Sequence, residues 1–442
     1  MKVHFVGIGG IGISSLAQYY LAKGHEVSGS DLVSSEITDF LKEKGVGIAI
    51  GHYAQNIKDG FDLVVFSPAV PKDNPELLKA KSYKLKAISY PEALGELTKQ
   101  HYTIAVSGSH GKSTTTAMIG LILIKAGLDP TVVVGTKLKE FGGSNFRLGK
   151  SSFLVIEACE YDGSFLNYDP KIIVVTNVDK EHLDYFKTFS NVVKTFKNFI
   201  LKLPGSGFLV ANKDDKHLNP KSLPTRQAGK IINSKQIKNS KFKIINYSLR
   251  QSEAKKVAKI MKIPGVHNVS NALAALAVAR ILGVKDTVSF KVLSQYRGSW
   301  RRFEIVKQKP YIIISDYGHH PNEVSATLKA AREKYPGRKI KVIFQPHQYQ
   351  RTHYLFNDFV KVLKLAPVDE IIVTDIYDVA GREEKKISLT TSSENLVKKI
   401  NKKSVKYFPI EEAEKYMKEN IKSGQVLVIM GAGDIYKLVG KF

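Results

Sequence analysis

A glycine-rich turn set between an apolar run and a helix-forming stretch occurs twice in this chain. No other feature limits the possible folds as strongly. The first turn is Gly7-Ile8-Gly9-Gly10-Ile11-Gly12, entered from Val3–Val6 and left through Ile13–Lys23. The second is Gly108-Ser109-His110-Gly111-Lys112-Ser113, entered from Tyr102–Val106 and left through Lys112–Ala126. A strand that passes directly into a helix usually meets its next strand in parallel, so both turns predict parallel sheets with helical crossovers.

Further apolar runs continue the rhythm. His25–Ser30 and Leu63–Ser67 follow the first turn, and Thr131–Val134, Phe153–Glu157, Ile172–Asn177 and Phe208–Ala211 follow the second. Ile312–Asp316, Lys341–Gln345, Glu370–Thr374 and Gln425–Met430 form a third set. A chain of 442 residues exceeds one ordinary core. The pattern pauses at Pro91–Gln100 and a new set starts near Gln295. The expected fold class is therefore α/β in three domains: Rossmann-like 1–98, a phosphate-loop domain with a mostly parallel sheet over 99–294, and Rossmann-like 295–442. The lysine-rich stretch Lys213–Lys262 reads as short strands and loops, and an alanine-rich helix runs from Asn268 to about Leu282.

Both turns suit phosphate. Gly7, Gly9 and Gly12 let backbone N–H groups approach a diphosphate, and Asp31 lies 31 − 12 = 19 positions past the last glycine, where it can meet a ribose hydroxyl. NAD or FAD is the default ligand for such a pattern, but nothing downstream resembles a hydride-transfer site. In the second turn Val106 stands where the full phosphate-loop pattern has glycine. What remains gives Lys112 to the β/γ oxygens and the Ser113 hydroxyl to Mg²⁺. Glu157 ends a buried strand and His182 follows another, where carboxyl ends gather, so they can share that metal or simply cap turns. Histidine is an unusual Mg²⁺ ligand, which makes Mn²⁺ a candidate as well. Asn268 and Asn271, three apart on one helix face, can present two amides to a purine. His319-His320 read more readily as hydrogen-bonding residues than as a metal pair. Arg351 can clamp a carboxylate.

The formal charge is +26, with lysines spread along the whole chain. A nucleic-acid-binding ATPase is one reading, and steering of polyanionic substrates is another. The lack of an arginine-rich block or interleaved aromatic stripe favours the second. No apolar run reaches the roughly 18 residues of a membrane span, and Met1–Val6 reads as a first strand rather than a signal peptide. Cys159 is the only cysteine, which excludes an intrachain disulfide and fits a cytoplasmic protein. Its thiol reads as a buried apolar group rather than a reactive one beside the metal site, which is the alternative.

Across nearly its whole length the chain resembles the Mur ligases, through Gly7–Gly12, Ser107–Thr116, Glu157–Phe165, Thr176–His182, Gly265–Ala275, Arg301-Arg302-Phe303, Asp316–Glu323, Phe344–Thr352 and Gly431–Ile435. The resemblance implies an ATP- and Mg²⁺-dependent ligase of peptidoglycan precursor synthesis. Its reaction would join L-alanine to the lactyl carboxylate of UDP-N-acetylmuramic acid through an acyl phosphate. A sister activity that recycles a murein tripeptide onto the same sugar nucleotide is the alternative. The resemblance implies a UDP-sugar site from Gly9, Gly10, Ile11, Gly12, Asp31, Ser67 and Pro68. It implies an ATP site from Gly108, Ser109, His110, Gly111, Lys112, Ser113, Thr114, Asn268, Asn271, Arg302 and Asp316. Metal would fall to Ser113, Glu157 and His182, the chemistry to Lys112, Glu157, His182 and His319, and the amino acid to His347, Tyr349 and Arg351. A monomer or homodimer free of membrane is expected. The chain departs from the family at Cys159, where an acid is usual, and at Gln348, where arginine is usual; the second departure bears on amino-acid preference.

Overall fold

The computed structural model describes residues 1–218, 242–378 and 385–442. The chain packs as two compact units: Met1–Val178 with Val193–Tyr247 and Ala274–Val292, and Asp179–Val192 with Ser248–Leu273 and Leu293–Phe442.

The first unit holds two sheets. One consists of β1 (Lys2–Val6), β2 (Glu26–Asp31), β3 (Gly47–Ile50), β4 (Leu63–Phe66) and β5 (Ala87–Ser89) in the order β3-β2-β1-β4-β5, with every pair parallel. The strand order reverses at β1, so the first glycine turn lies at the switch point, where ligands of open α/β sheets bind. Val3, Phe5 and Val6 are fully buried, as expected for a central strand covered on both faces. The other sheet contains β6 (Tyr102–Ser107), β7 (Thr131–Leu138), β8 (Ser144–Arg147), β9 (Phe153–Glu157), β10 (Ile172–Val175), β11 (Phe208–Asn212) and β12 (Lys243–Tyr247). Its order is β12-β11-β10-β6-β9-β7-β8, and only the β7–β8 hairpin is antiparallel.

A buried polar cluster joins the two sheets. The helix Ile11–Ala22 places Gln18 against the hairpin, where its Nε2 donates to Asn145 Oδ1 at 2.8 Å and its Oε1 accepts from Ser144 Oγ at 2.7 Å. Asn145 Nδ2 donates to the Ile11 carbonyl and to Ser14 Oγ. All four side chains are buried and mutually satisfied, which low dielectric makes valuable.

The second unit holds β13 (Glu304–Lys307), β14 (Ile312–Asp316), β15 (Ile340–Phe344), β16 (Glu370–Val373), β17 (Val405–Tyr407) and β18 (Val426–Met430), ordered β13-β14-β18-β15-β16-β17. Only β13 runs antiparallel to its neighbour. Alternate strand residues fill opposite faces. Ile314, Val342, Phe344 and Val428 pack into one core and Ile313, Ile343, Ile372 and Leu427 into the other.

Two expectations fail here. Pro91–Gln100 is not a pause but part of a helix, Tyr90–Lys99. Ser89 and Glu92 form a capping box, and Pro91 occupies the first turn, where its missing N–H costs nothing. Within the lysine-rich stretch, Lys243–Tyr247 is a strand as expected, but Glu253–Ile260 is a helix that buries Ala254 and Val257. The part of that stretch over 219–241 lies outside the described residues. Among the described residues no helix is long and apolar enough to cross a membrane.

Candidate active site

In the first unit the second glycine turn follows β6 and opens the helix Lys112–Lys125. Gly111 caps that helix in the left-handed region, at φ 83°. Gly108 has φ 133°, and a Cβ there would sit 2.0 Å from Thr176 Oγ1. The loop is fixed from β10's end. Asn177 accepts the Ser109 N–H at its carbonyl (3.0 Å) and the His110 N–H at Oδ1 (2.9 Å). Thr176 Oγ1 and Asn177 Nδ2 both donate to the His110 carbonyl, at 2.6 and 3.0 Å. The helix's first turn leaves N–H groups without helical acceptors, beside the buried Ser113 and Thr114 hydroxyls. A backbone held this closely, with a helix N-terminus behind it, fits a polyphosphate.

Lys112 is folded onto its own loop. Its Nζ donates to the Gly108 and Ser109 carbonyls at 2.6 and 3.1 Å and to both Glu160 oxygens at 2.9 and 3.2 Å. Burial opposes the ammonium, but Glu160, and less strongly Cys159 and Glu157, push the Lys112 pKa up, so it stays charged. Glu157, at the end of β9 next to β6, accepts the Gly135 N–H at 2.8 Å. A Cβ on Gly135 would lie 2.6 Å from the carboxylate, so any other residue there would displace Glu157 from this position. Tyr90, from the unexpected helix, hydrogen-bonds Ser15. Burial first, then Glu157 and Cys159, pushes its hydroxyl pKa up. Cys159 is exposed, which corrects the expectation of a buried thiol. Desolvation by the protein packed around its sulfur, and then the Glu160 carboxylate, nevertheless push it up to about 12.

The first glycine turn is largely satisfied from within. The Gly7 and Ile8 N–H groups donate to the Ser30 carbonyl at 2.8 and 3.0 Å, and the Gly9 N–H donates to Asp31 Oδ2 at 2.8 Å. Gly10 caps the helix in which Ile11 and Gly12 form the first turn. Ser67 donates its N–H to Val6, and Pro68 follows, so both border the same switch point.

The second unit gathers the remaining candidates. Arg351 is buried, and the carboxylate it clamps belongs to Glu181, at 3.1 Å. Its Nη1 also lies 3.1 Å from His347 Nδ1 and donates to the His347 carbonyl. Burial opposes the Glu181 charge, but Arg351 and then His182 hold its carboxyl well below the usual range. His347 stacks on Tyr377, with ring centroids 5.4 Å apart, and its ring lies 5.6 Å from His319. Desolvation, together with Arg351, lowers His319 to about 4; desolvation, with His319 and Arg351, lowers His347 to about 2. Both rings are therefore neutral at pH 7. His320 caps the helix Pro321–Lys334, its Nδ1 taking the Asn322 N–H at 3.3 Å, and His319 Nδ1 lies 3.1 Å from the Tyr317 carbonyl. His182 adopts φ 55° before the short helix Leu183–Phe186, and with Lys180, Glu181, Asp184, Arg351 and Tyr354 it lines a small cleft. Tyr349 begins the helix Tyr349–Tyr354, next to the buried Gln348 at φ 70°.

Asp316 is buried at the end of β14 and accepts N–H groups from Phe303 and Gly318 at 2.8 Å and the Thr327 hydroxyl at 3.0 Å. Burial outweighs these bonds and raises its pKa. It thereby shapes the Arg301–Phe303 turn, in which the Arg302 guanidinium lies 4.8 Å from the Tyr317 ring. Asn268 and Asn271 are both buried on the helix Val266–Ile281, and Asn268 Nδ2 donates to the Pro264 carbonyl. The sequence reading passed over Glu160, Asn177 and Glu181. The available signal was polarity at a strand end, but partner identity needs the fold.

A strand–phosphate loop–helix in a parallel sheet, on a chain that also carries a Rossmann-ordered sheet and a third α/β sheet, defines a multidomain nucleotide-binding protein. Three family models place it further: "Mur ligase family, catalytic domain" matches residues 2–102, "Mur ligase middle domain" 106–279 and "Mur ligase, glutamate ligase domain" 301–433. The chain belongs to the Mur ligase family. It is 44% identical over 451 residues to the UDP-N-acetylmuramate–L-alanine ligase of Aquifex aeolicus, covering 100% of this chain and 97% of that one. The ligase of the same name from Acetivibrio thermocellus is 40% identical, covering 99% and 94%. The UDP-N-acetylmuramate–alanine ligase structure from Thermotoga maritima aligns with a TM-score of 0.79 at 28% identity, covering 100% and 98%. A murein peptide ligase structure from Psychrobacter arcticus, 23% identical with a TM-score of 0.71, shares the fold.

Proposed function

We propose that this chain is an ATP-dependent ligase of the cytoplasm that joins L-alanine to UDP-N-acetylmuramic acid in peptidoglycan precursor synthesis. The observation that carries the reading is full-length identity of 40–44% to ligases of that name, on a chain with Lys112 and Ser113 at the start of the phosphate-loop helix and Glu157 at the end of the neighbouring strand. We assign residues 1–98 to the UDP-sugar, 99–294 to ATP and 295–442 to the amino acid.

In this reading the turn Gly9–Gly12, with Asp31, Ser67 and Pro68, receives the sugar nucleotide. Gly108–Thr114 receive the ATP phosphates, and Asn268, Asn271, Arg302 and Asp316 serve the rest of the nucleotide. Lys112 moves its charge from Glu160 to the transferring phosphoryl group, where fixed positive charge is most effective. Ser113, Glu157 and His182 would hold Mg²⁺, which would neutralise phosphate charge when bound, and the oxygen-rich part of that set suits the ion. The lactyl carboxylate attacks the γ-phosphorus, ADP leaves, and the amine of L-alanine displaces phosphate from the acyl phosphate. The departing phosphate can take the proton the attacking amine must lose, while His319, His347 and Tyr349 would line the amino-acid subsite, where Arg351 can exchange Glu181 for the alanine carboxylate. The positive surface steers anionic substrates inward.

The test is phosphate release from ATP and Mg²⁺ with UDP-N-acetylmuramic acid and each amino acid in turn. Release that requires both the sugar nucleotide and L-alanine is expected. Release only with a murein tripeptide would transfer the chain to the recycling activity, and no release with any acceptor would refute the ligase reading.

A further inference from the structure

One fully buried carboxylate in the first unit belongs to none of the groups above. Glu76 enters at the start of the helix Pro75–Ser82, behind the Asn74 cap, and has no solvent exposure. Its Oε2 accepts from Ser30 Oγ at 2.7 Å and lies 3.2 Å from His4 Nε2. Its Oε1 accepts from Asn56 Nδ2 at 2.7 Å and the Tyr53 N–H at 3.3 Å, with His52 Nδ1 at 3.4 Å. Burial alone would neutralise such a group, but these donors outweigh it and hold Glu76 below its ordinary value, so it is ionised at neutral pH.

The partners come from β1, from the end of β2 and from the segment after β3. Ser30 connects this cluster to the first glycine turn, because the residue whose hydroxyl reaches Glu76 also offers the carbonyl that takes the Gly7 and Ile8 N–H groups. The next residue, Asp31, holds the Gly9 N–H through its side chain and the Gly51 N–H through its carbonyl. One buried charge therefore fixes the height of the turn, the direction of Asp31 and the course of the Gly51–Asn56 segment. An anion buried behind a diphosphate site has no electrostatic reason to be there, since it repels the ligand. Its value lies in the geometry it imposes.

We propose that Glu76 is the positioning residue of the sugar-nucleotide subsite, acting through Ser30 on the glycine turn and Asp31 without touching the ligand. This rests on the reading of that subsite given above. The experiment compares wild type, Glu76→Gln and Ser30→Ala for steady-state kinetics and for calorimetric binding of UDP. For Glu76→Gln, KM for UDP-N-acetylmuramic acid and Kd for UDP rise about tenfold, the scale of one weakened charge-assisted hydrogen bond, while kcat and KM for ATP stay within about twofold. Ser30→Ala moves the same two quantities in the same direction by a smaller factor, and it decides the matter alone if Glu76→Gln does not fold. Unchanged sugar-nucleotide KM in the folded variants, or parallel losses in both substrates, would overturn the inference. A wild type that neither binds UDP nor uses the sugar nucleotide would instead overturn the subsite reading beneath it.

Discussion

Removing either end of the Lys112–Glu160 pair tests how the phosphate loop is held before nucleotide arrives. The side chains are 13% and 0% exposed, so neither charge is well hydrated. Removing one partner of a buried pair costs about 3–5 kcal/mol, because the survivor keeps its charge in low dielectric. Lys112 also has the Gly108 and Ser109 carbonyls at 2.6 and 3.1 Å, which soften its loss of Glu160. Glu160→Gln therefore falls at the lower end, about 3 kcal/mol. Lys112→Met strands a fully buried carboxylate and costs as much or more. The double variant removes both charges, so the two effects do not add, and a coupling of about 2 kcal/mol remains. Urea denaturation of the four proteins without nucleotide, followed by a probe within the first unit, measures these differences. Losses that sum to the double-variant value within about 0.5 kcal/mol would refute the claim that the two charges depend on each other.

Two further predictions concern protonation. His319 and His347 are held to about 4 and about 2 against an ordinary 6.5, so below pH 6.5 the unfolded chain binds protons that the folded one refuses. Stability of the second unit therefore falls as pH drops from about 6.5 towards 4, and Glu181, held low by Arg351, adds to the loss in acid. The urea midpoint should decline over that window, less steeply in His347→Phe; a flat wild-type profile would contradict the neutral-ring geometry. Cys159, exposed but pushed up to about 12, should react with iodoacetamide at pH 7.5 far more slowly than a free thiol. With a single cysteine, intact-mass spectrometry reads the rate directly, and labelling as fast as glutathione would refute the assignment.

The parts of this architecture legible in the sequence are those whose cause is local. Runs such as Ile172–Val175 and Val426–Met430 are apolar on both faces because helices cover both, and the glycine turns show where a strand passes into a helix. The helix Tyr90–Lys99 was hidden by Pro91, although Ser89 and Glu92 formed a readable cap around it. The edge strands β3, β5 and β17 escaped because they are only three or four residues long and partly exposed. The site divides in the same way. Lys112 and Glu157 stand where a strand-to-helix turn and a strand end put them. Nothing local announces that Glu160 answers Lys112 across 160 − 112 = 48 positions, or that Glu181 answers Arg351 across 351 − 181 = 170. Such pairs arise from the order in which strands are laid side by side.

The seam formed by Gln18, Asn145, Ser14 and Ser144 limits how this protein can be recombined. A chimera cut near residue 100 would seem a natural exchange of modules, since one sheet ends before it and the next begins after it. Such a graft transfers Gln18 and Ser14 but leaves Ser144 and Asn145 behind, and any mismatch strands an amide in a dry interface. These four residues are inherited as a set, and shuffling or drift can change one only by changing its counterparts.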